Sequence, residues 1–397
     1  MRFGVVELHS KILRRAKSTI LFQTDLCLEK GMELKVRKLL FAAYSMDIGG
    51  IEKALVATAN YLNKKGYEIT IVLEKKQGIF LKEIDQAINI IEYKPSESRN
   101  AIKRKSRNLL KRIKFIFKYK NKFDFSVSFA TYSLASSFVS RVASKNNCLW
   151  GHADYLSLYD GNEEEVKTFF EQIKYDEFKH IVFVSEEGKN SFVKIFPEMK
   201  NKTVVCNNII DADKIKTMAN EEIEIKKEDR VTFLNVGRHD ERQKKISKLI
   251  ECAKMLKETK YDFKVLLVGD GPDNNLYKKM VKEYNLENYI LFIGKKENPY
   301  PYFKISDCVI LTSDYEGYPV VFLESFILNK PLITTKVSDY KEVEDGRGYT
   351  TTKDTKDIYE KMKLFIEKGY KISNVFDSKK YNEEIYKKLE RLIEGNN

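Results

Sequence analysis

Two carboxylates, Glu316 and Glu324, lie eight positions apart in the segment DYEGYPVVFLES, residues 314–325. Pro319 lies between them and cannot occupy the interior of a helix. We therefore expect Glu316 just before a helix and Glu324 inside it. Carboxylate oxygens accept hydrogen bonds, so each of these acids can bind a hydrogen-bond donor of a ligand. The plainer alternative is one acid near a helix N-terminus and one ordinary exposed acid.

Cations follow another predicted strand. The segment LNVGRHDERQKKI, residues 234–246, places Arg238 directly after the strand, with Lys244 and Lys245 a short loop later. Cations at the carboxyl end of a parallel strand suit a phosphate group. The chain has 71 Lys and Arg residues, and any single one is usually a solvated surface charge, so the prediction depends on position rather than on charge alone.

The first half of the chain contributes two further candidates. His152 follows the apolar run of NCLWGHADYL, residues 147–156, where an imidazole can donate a hydrogen bond to a substrate, although a lone histidine is more often structural. Gly49 and Gly50 lie between a strand and a helix, where backbone N–H groups can approach an anion or a sugar. A plain tight turn is the alternative for this glycine pair, and no GxGxxG motif accompanies it.

These candidates all follow short apolar runs, which alternate with amphipathic stretches of helical length. Such alternation predicts an α/β protein with parallel sheets, and because it restarts after the polar interval 211–229, it predicts two doubly wound domains. Ligands of such sheets bind at the carboxyl ends of the strands, where the candidates lie. The apolar runs cover 38–44, 67–73, 88–93, 124–130, 147–151, 180–185, 202–206, 231–237, 264–271, 289–294, 308–313 and 331–335.

Composition limits the protein class. A chain of 397 residues with 43% hydrophobic residues can form two globular domains. No apolar stretch approaches the roughly 20 residues that a spanning helix needs. The five cysteines are far apart and form no CxxC pair, which argues against structural zinc. Their arrangement also indicates a reducing compartment, with the cytoplasm as the default.

Residues 1–31 lack a clean signal peptide, and we expect a poorly ordered extension before a domain start at Met32.

Taken together, the motifs resemble the retaining glycosyltransferase family 4, which has the GT-B fold of two Rossmann-like domains facing each other across a cleft. The most specific match is SDYEGYPVVFLESFILNKPLITT, residues 313–335, which resembles the family's Glu-x7-Glu signature. The resemblance covers most of residues 36–375. The supporting motifs occur in the expected order: GGIE (49–52), WGHAD (150–154), FVSEEGKNSF (183–192), VVCNNIID (204–211), VGR (236–238) and VGDGP (268–272).

The resemblance implies a role for each charged candidate. Arg238 and Lys244 would hold the diphosphate of a sugar-nucleotide donor. Glu316 would contact hydroxyl groups of the donor sugar, and Glu324 would bind the ribose. His152 would lie near the reacting sugar.

Backbone groups would complete the donor site. By the same resemblance, Gly49 and Gly50 form the glycine loop beside the phosphates and the acceptor. Gly317 and the backbone of Val320 and Val321 would meet the diphosphate at a helix N-terminus.

The implied activity is metal-independent transfer of a hexosyl group, with retention, from a nucleotide diphosphate sugar to a glycan or lipid-linked hydroxyl group. A UDP-sugar is favoured over a GDP-sugar as the donor, and cell-surface polysaccharide biosynthesis is the expected process. A catalytically silent sugar-nucleotide binder or partner subunit is the alternative.

The loop after Arg238 is one residue longer than the usual form, which leaves both Lys244 and Lys245 open as the phosphate ligand. Asp211 and Asp213 form a DxD match, but we expect them to cap a helix.

The implied domain plan has four parts after the extension. An acceptor-side domain covers 32–207, a linker covers 208–229, and a donor-binding domain covers 230–375. The last segment, 376–397, would be a helix that crosses back to the first domain.

Residues 99–122 predict a basic amphipathic helix, because eleven Lys or Arg residues occur there without an acid. Such a helix can lie on an anionic membrane surface. Nucleic acid competes as a partner for a chain of formal net charge +13, but the segment lacks aromatic stacking motifs, and we expect no nucleic acid. A solvated helix whose apolar stripe packs on its own sheet is the other alternative. The stripe consists of Ile102, Leu109, Ile113, Ile116 and Phe117.

Overall fold

The computed structural model describes residues 36–47 and 49–396. The expected extension 1–31 lies outside the described residues. Within them, no helix has the length and apolar character that crossing a membrane requires.

The first half of the chain forms a seven-stranded sheet with the order β3-β2-β1-β4-β5-β6-β7, and every paired strand is parallel. Strands buried on both faces need near-continuous apolar sequence, which is the pattern of the runs described above. The strands are β1 Lys38–Ala43, β2 Glu68–Leu73, β3 Asn89–Glu92, β4 Phe125–Ser128, β5 Asn147–Gly151, β6 His180–Phe183 and β7 Thr203–Val205.

Six α-helices and three short 3₁₀ helices connect these strands. The α-helices are α1 Gly50–Lys64, α2 Ala101–Tyr119, α3 Leu134–Ala143, α4 Tyr155–Leu158, α5 Glu163–Gln172 and α6 Glu186–Ile195. The 3₁₀ helices are Ile79–Glu83, Tyr175–Glu177 and Pro197–Lys202.

The second sheet has six strands in the order β10-β9-β8-β11-β12-β13, again all parallel. Its strands are β8 Val231–Val236, β9 Phe263–Val268, β10 Ile290–Gly294, β11 Cys308–Leu311, β12 Leu332–Thr335 and β13 Gly348–Thr351. The two sheets confirm the predicted pair of doubly wound domains. Strand β13 was not predicted, because its sequence GYTT contains no apolar run.

The remaining helices are α7 Ala212–Met218, α8 Glu241–Lys244, α9 Ile246–Glu258, α10 Asn274–Glu283, α11 Tyr300–Ile305, α12 Val320–Ile327, α13 Lys341–Glu344, α14 Thr355–Lys368 and α15 Ser378–Glu394. Helix α7 lies in the interval between the sheets. The Asp211 side chain accepts a hydrogen bond from the Lys214 N–H at 3.1 Å and so caps α7, as expected for this aspartate.

Helix α15 packs against the first domain although it follows the second in sequence. The Asn382 side chain donates to the Ile210 carbonyl at 2.7 Å and accepts from the Ile210 N–H at 3.0 Å. The Asn146 amide donates to the carbonyl of Leu392 at 2.9 Å. The chain therefore passes between the domains twice, once before β8 and once after β13.

Helix α2 contradicts the alternative in which its apolar stripe packs on its own sheet. Its apolar stripe does not pack on the sheet, because Ile102, Leu109 and Phe117 are 80%, 59% and 85% exposed. Phe115, which does not belong to the stripe, is the buried residue of this helix.

Candidate active site

Glu316 lies in the loop after β11 and is 6% exposed. Its Oε1 accepts from Lys244 Nζ at 2.5 Å and from Ser313 Oγ at 2.7 Å, and its Oε2 accepts from Gln243 Nε2 at 3.2 Å. A buried carboxylate is costly unless it is paired and hydrogen-bonded, and these three donors meet that need. The predicted acid and the predicted cation are therefore direct neighbours.

The structure separates the two adjacent lysines. Lys244 reaches Glu316, whereas Lys245 has a left-handed backbone with φ +48° and lies 3.7 Å from Asp314. Lys248 donates to the same Asp314 carboxylate at 2.9 Å. Of the two candidates, Lys244 is thus the one whose ammonium group faces the predicted donor site.

Arg238 follows β8, and its side chain is 69% exposed, with Asp240 as a distant ion-pair partner at 3.9 Å. Two glycines of the loop after β9 allow that loop to pack beside it. A Cβ atom on Gly269, which has φ +155°, would lie 1.8 Å from the Gly237 carbonyl oxygen, and one on Gly271 would lie 2.2 Å from that of His239. The VGDG segment therefore fixes the backbone on either side of Arg238 and leaves the guanidinium accessible.

His152 and Gly317 meet across the two domains. A Cβ atom on Gly317 would lie only 1.9 Å from the His152 carbonyl oxygen, so this approach requires glycine. Burial lowers the pKa of His152 to about 3, against a weaker opposing effect of a hydrogen bond to the Phe129 backbone. The imidazole is consequently neutral near pH 7. Its Nε2 is buried and has no hydrogen-bond partner among the described residues.

Glu324 lies inside α12 and is 2% exposed. Its Oε1 accepts from Lys53 Nζ, on helix α1 of the first domain, at 3.0 Å and from the Tyr300 hydroxyl at 3.1 Å. Burial and the Glu324 charge raise the pKa of Tyr300 well above its ordinary value, so the phenol remains a donor. These three side chains and Val320 line part of a cavity of about 180 Å³ between the domains.

Sequence reasoning did not predict roles for Lys53 and Tyr300. Lys53 follows the glycine pair in the first turn of α1, where the helix dipole disfavours a cation. That local conflict is the available signal for Lys53, and Glu324 resolves it. Tyr300 opens helix α11 without any comparable signal.

The glycine loop and the second helix N-terminus also lie together. A Cβ atom on Gly50 would be 3.8 Å from Val320 Cγ2, an ordinary van der Waals contact. The N-cap residues of α1 and α12, Gly49 and Pro319, supply no side-chain cap. At α12, the N–H groups of Val320 and Val321 can therefore serve an anion. The N-terminus of α1 differs, because the Glu52 carboxylate lies beside Gly49 and hydrogen-bonds to the backbone there.

The structure thus brings some of the candidates together: Lys244 contacts Glu316, the His152 backbone contacts Gly317, and Gly50 lies near Val320. Arg238 and Glu324 take part in none of these pairs. No group of three or more His, Cys, Asp or Glu side chains suited to a metal ion occurs in residues 36–47 and 49–396. Metal independence remains a prediction, and so do the individual roles of the site residues.

Two Rossmann-like domains with a shared polar site between them define the GT-B class of fold. The chain superimposes on Anabaena HepE, solved in complex with UDP and glucose, with a TM-score of 0.71 and 18% identity, covering 89% of this chain and 99% of that one. It is also similar to WaaG, a glycosyltransferase involved in lipopolysaccharide biosynthesis, with a TM-score of 0.65, 13% identity and coverage of 89% and 99%. The GT-B fold is therefore confirmed.

The family described as "Glycosyl transferases group 1" matches residues 217–384, so this part of the chain is a glycosyltransferase group 1 domain. An uncharacterised glycosyltransferase of Methanocaldococcus jannaschii is 31% identical over 159 residues, which span 39% of each chain. A Campylobacter jejuni enzyme is 28% identical over 170 residues, 43% of this chain and 45% of that protein. Its name is N-acetylgalactosamine-N,N'-diacetylbacillosaminyl-diphospho-undecaprenol 4-alpha-N-acetylgalactosaminyltransferase. Both matches thus span less than half of the relative's length.

Proposed function

We propose that this protein is a glycosyltransferase that moves a hexosyl group from a nucleotide diphosphate sugar to a hydroxyl group of a glycan or lipid-linked acceptor. One observation carries the proposal: the Lys244–Glu316 pair of the second domain adjoins the contact between Gly317 and His152 of the first. The matched domain over residues 217–384 supports the same reaction class. In this proposal the transfer retains the anomeric configuration and needs no metal ion.

The proposed chemistry relies on electrostatic stabilisation of the leaving group. As the bond from the sugar to the diphosphate breaks, negative charge develops on the diphosphate oxygens. The exposed guanidinium of Arg238, the ammonium of Lys244 and the N-terminus of α12 would stabilise that charge without rearranging. Glu316 would accept hydrogen bonds from the donor sugar, and Glu324 from the ribose.

Uncharged His152 would lie on the acceptor side of the same site. A neutral imidazole can donate a hydrogen bond to a sugar oxygen without placing a cation beside the breaking bond. Contact between Gly317 and the His152 backbone would close the site and exclude water.

A UDP-sugar is the donor that we propose first, ahead of a GDP-sugar, because HepE binds UDP and glucose in its crystal structure. We also propose a role in cell-surface polysaccharide biosynthesis at the cytoplasmic face of the membrane. The Campylobacter relative is named after a substrate linked to diphospho-undecaprenol, a lipid. This name supports a lipid-linked acceptor for the present protein.

The direct test is a transfer assay with radiolabelled UDP-sugars and GDP-sugars against glycan and lipid-linked acceptors. Transfer with one donor, unchanged by EDTA, is expected, and NMR of the product should show the donor's anomeric configuration. An inverted product would contradict retention. Activity that disappears with EDTA and returns with manganese would contradict metal independence.

A silent sugar-nucleotide binder is the second candidate, because binding residues alone do not require turnover. Thermal-shift measurements distinguish the two functions. Stabilisation by UDP without transfer or donor hydrolysis for any sugar would favour the silent binder, whereas stabilisation with turnover favours the enzyme.

A further inference from the structure

Helix α2 presents an apolar stripe to the solvent. The stripe residues recur at spacings of three, four and seven positions, which places them on one side of the helix. The exposed members of the stripe are Ile102 (80% exposed), Leu109 (59%), Ile113 (40%) and Phe117 (85%), and exposed Leu110 (58%) lies beside them. An exposed apolar patch of this kind marks a site of interaction with a membrane or with another protein.

A different side of α2 attaches the helix to its domain. Phe115 is 5% exposed, and its ring centroid lies 5.2 Å from that of Tyr93 and 6.0 Å from that of Phe138. The Asn108 side chain accepts from the Ser96 N–H at 2.6 Å. The domain's own packing is therefore complete without the exposed stripe.

Cations surround the stripe. Residues 99–122 contain eleven Lys or Arg residues and no acid. Four of the exposed cations, Lys103, Lys105, Arg107 and Lys114, form no ion pair with a carboxylate in the described part of the chain. Helical geometry places Lys105 on one flank of the stripe and the other three on the opposite flank. The surface thus combines a central apolar band with uncompensated positive charge on both sides.

We infer that this face of α2 docks on the surface of an anionic phospholipid bilayer. The stripe enters the boundary between headgroups and acyl chains, while the flanking cations remain at the anionic headgroups. A nucleic acid would use the cations but would leave five apolar side chains in water, so the bilayer satisfies both halves of the surface.

The position of α2 relates this surface to the cleft. A helix that links two parallel strands runs back along the sheet, so its first turn lies at the edge where the strands end. The candidate site lies at that same edge. If the proposed transfer is correct, docking would bring a lipid-linked acceptor within reach of the cleft. The docking itself does not depend on transferase activity.

Vesicle flotation tests the inference on the full-length protein without donor or acceptor. We expect binding to vesicles of phosphatidylcholine with phosphatidylglycerol and little binding to phosphatidylcholine alone. Lys105→Gln with Lys114→Gln should weaken the binding about 25-fold, at about five-fold for each charge. Leu109→Ser with Phe117→Ser should abolish it at the same protein concentration.

Helix α10 of the second domain supplies matched controls. Lys279 and Lys282 are exposed cations, and Leu276 is 42% exposed. Lys279→Gln with Lys282→Gln, and separately Leu276→Ser, should leave vesicle binding unchanged. Because all the substituted side chains are exposed, the melting temperature of every variant should match that of the wild type, which excludes unfolding as the cause.

Three outcomes would overturn the inference. The first is equal binding to vesicles with and without phosphatidylglycerol. The second is full binding by Leu109→Ser with Phe117→Ser. The third is tight binding to an RNA or DNA oligonucleotide that the same double variant retains while vesicle binding is absent. A protein that binds vesicles but transfers no sugar would contradict the proposed function and leave the docking surface intact.

Discussion

Lys53 Nζ donates to Glu324 Oε1 at 3.0 Å, so a cation of the first domain occupies the acid that we assign to the donor ribose. Glu324 is 2% exposed, and Tyr300 supplies its second hydrogen bond at 3.1 Å. Bound ribose would have to share Glu324 with Lys53 or displace it. In the proposed function, this pair would therefore couple ribose binding to the contact between the domains.

Replacing Lys53 tests how much this pair contributes to the stability of the fold. Lys53→Met should lower the free energy of unfolding by roughly 2 kcal/mol, because the buried Glu324 carboxylate loses its counter-ion. Urea unfolding measures the loss. Lys82 and Glu297 are a matched control, since they also join the two domains at 3.0 Å but are 66% and 56% exposed. Lys82→Met should change stability by less than about 0.5 kcal/mol, and equal effects of the two variants would contradict a special role for Lys53.

The neighbouring lysines should differ in turnover. Arg238→Ala and Lys244→Ala should each lower kcat by about 10²-fold or more, the cost of one charge-stabilising donor in an active site. Lys245→Ala should retain near wild-type kcat, because Lys245 pairs with Asp314 rather than Glu316. Steady-state kinetics with the accepted donor measures all three. A larger loss for Lys245→Ala than for Lys244→Ala would reverse our assignment.

Gly317→Ala should prevent the close approach of the two domains. The new methyl group would lie 1.9 Å from the His152 carbonyl oxygen. We expect kcat/KM to fall about 10²-fold for Gly317→Ala. Small-angle scattering should show a larger radius of gyration for this variant than for the wild type. Normal turnover by that variant would exclude closure through this contact.

His152 should make stability depend on pH. Its folded-state pKa of about 3 lies below the ordinary value of 6.5, so the unfolded chain binds the proton more readily. The neutral form contributes fully above about pH 6.5, and its contribution is lost as the pH falls toward 3. At pH 4 the loss is on the order of 3 kcal/mol.

Denaturant unfolding of the wild type and His152→Asn at pH 7.5 and pH 4 checks this prediction. Carboxylates titrate in the same window in both proteins, so the difference between the two curves isolates His152. The wild type should lose more stability than the variant on acidification. Parallel losses would show that the imidazole is not held neutral by burial.

The sequence predicted the strand ends, and with them the separate positions of Lys244 and Glu316, because each position follows from the strand that precedes it in the chain. Apolar runs reveal buried parallel strands, and the residues directly after them must lie at one edge of a sheet. The contact between Lys53 and Glu324 joins residues 271 positions apart and depends on how the domains face each other, which no periodicity records. The spacing in α2 likewise predicted an apolar stripe but did not reveal that Phe115, outside it, is the buried anchor.

Because α15 returns to the first domain, two covalent connections link the two domains. One connection alone would allow the domains to swivel freely. The two connections lie side by side, because Asn382 after the second crossing hydrogen-bonds to Ile210 at the start of the first. Opening and closing should therefore be mainly a bend at this paired connection. Cutting the chain between β13 and α15 would release that restraint and convert the hinge into a loose tether.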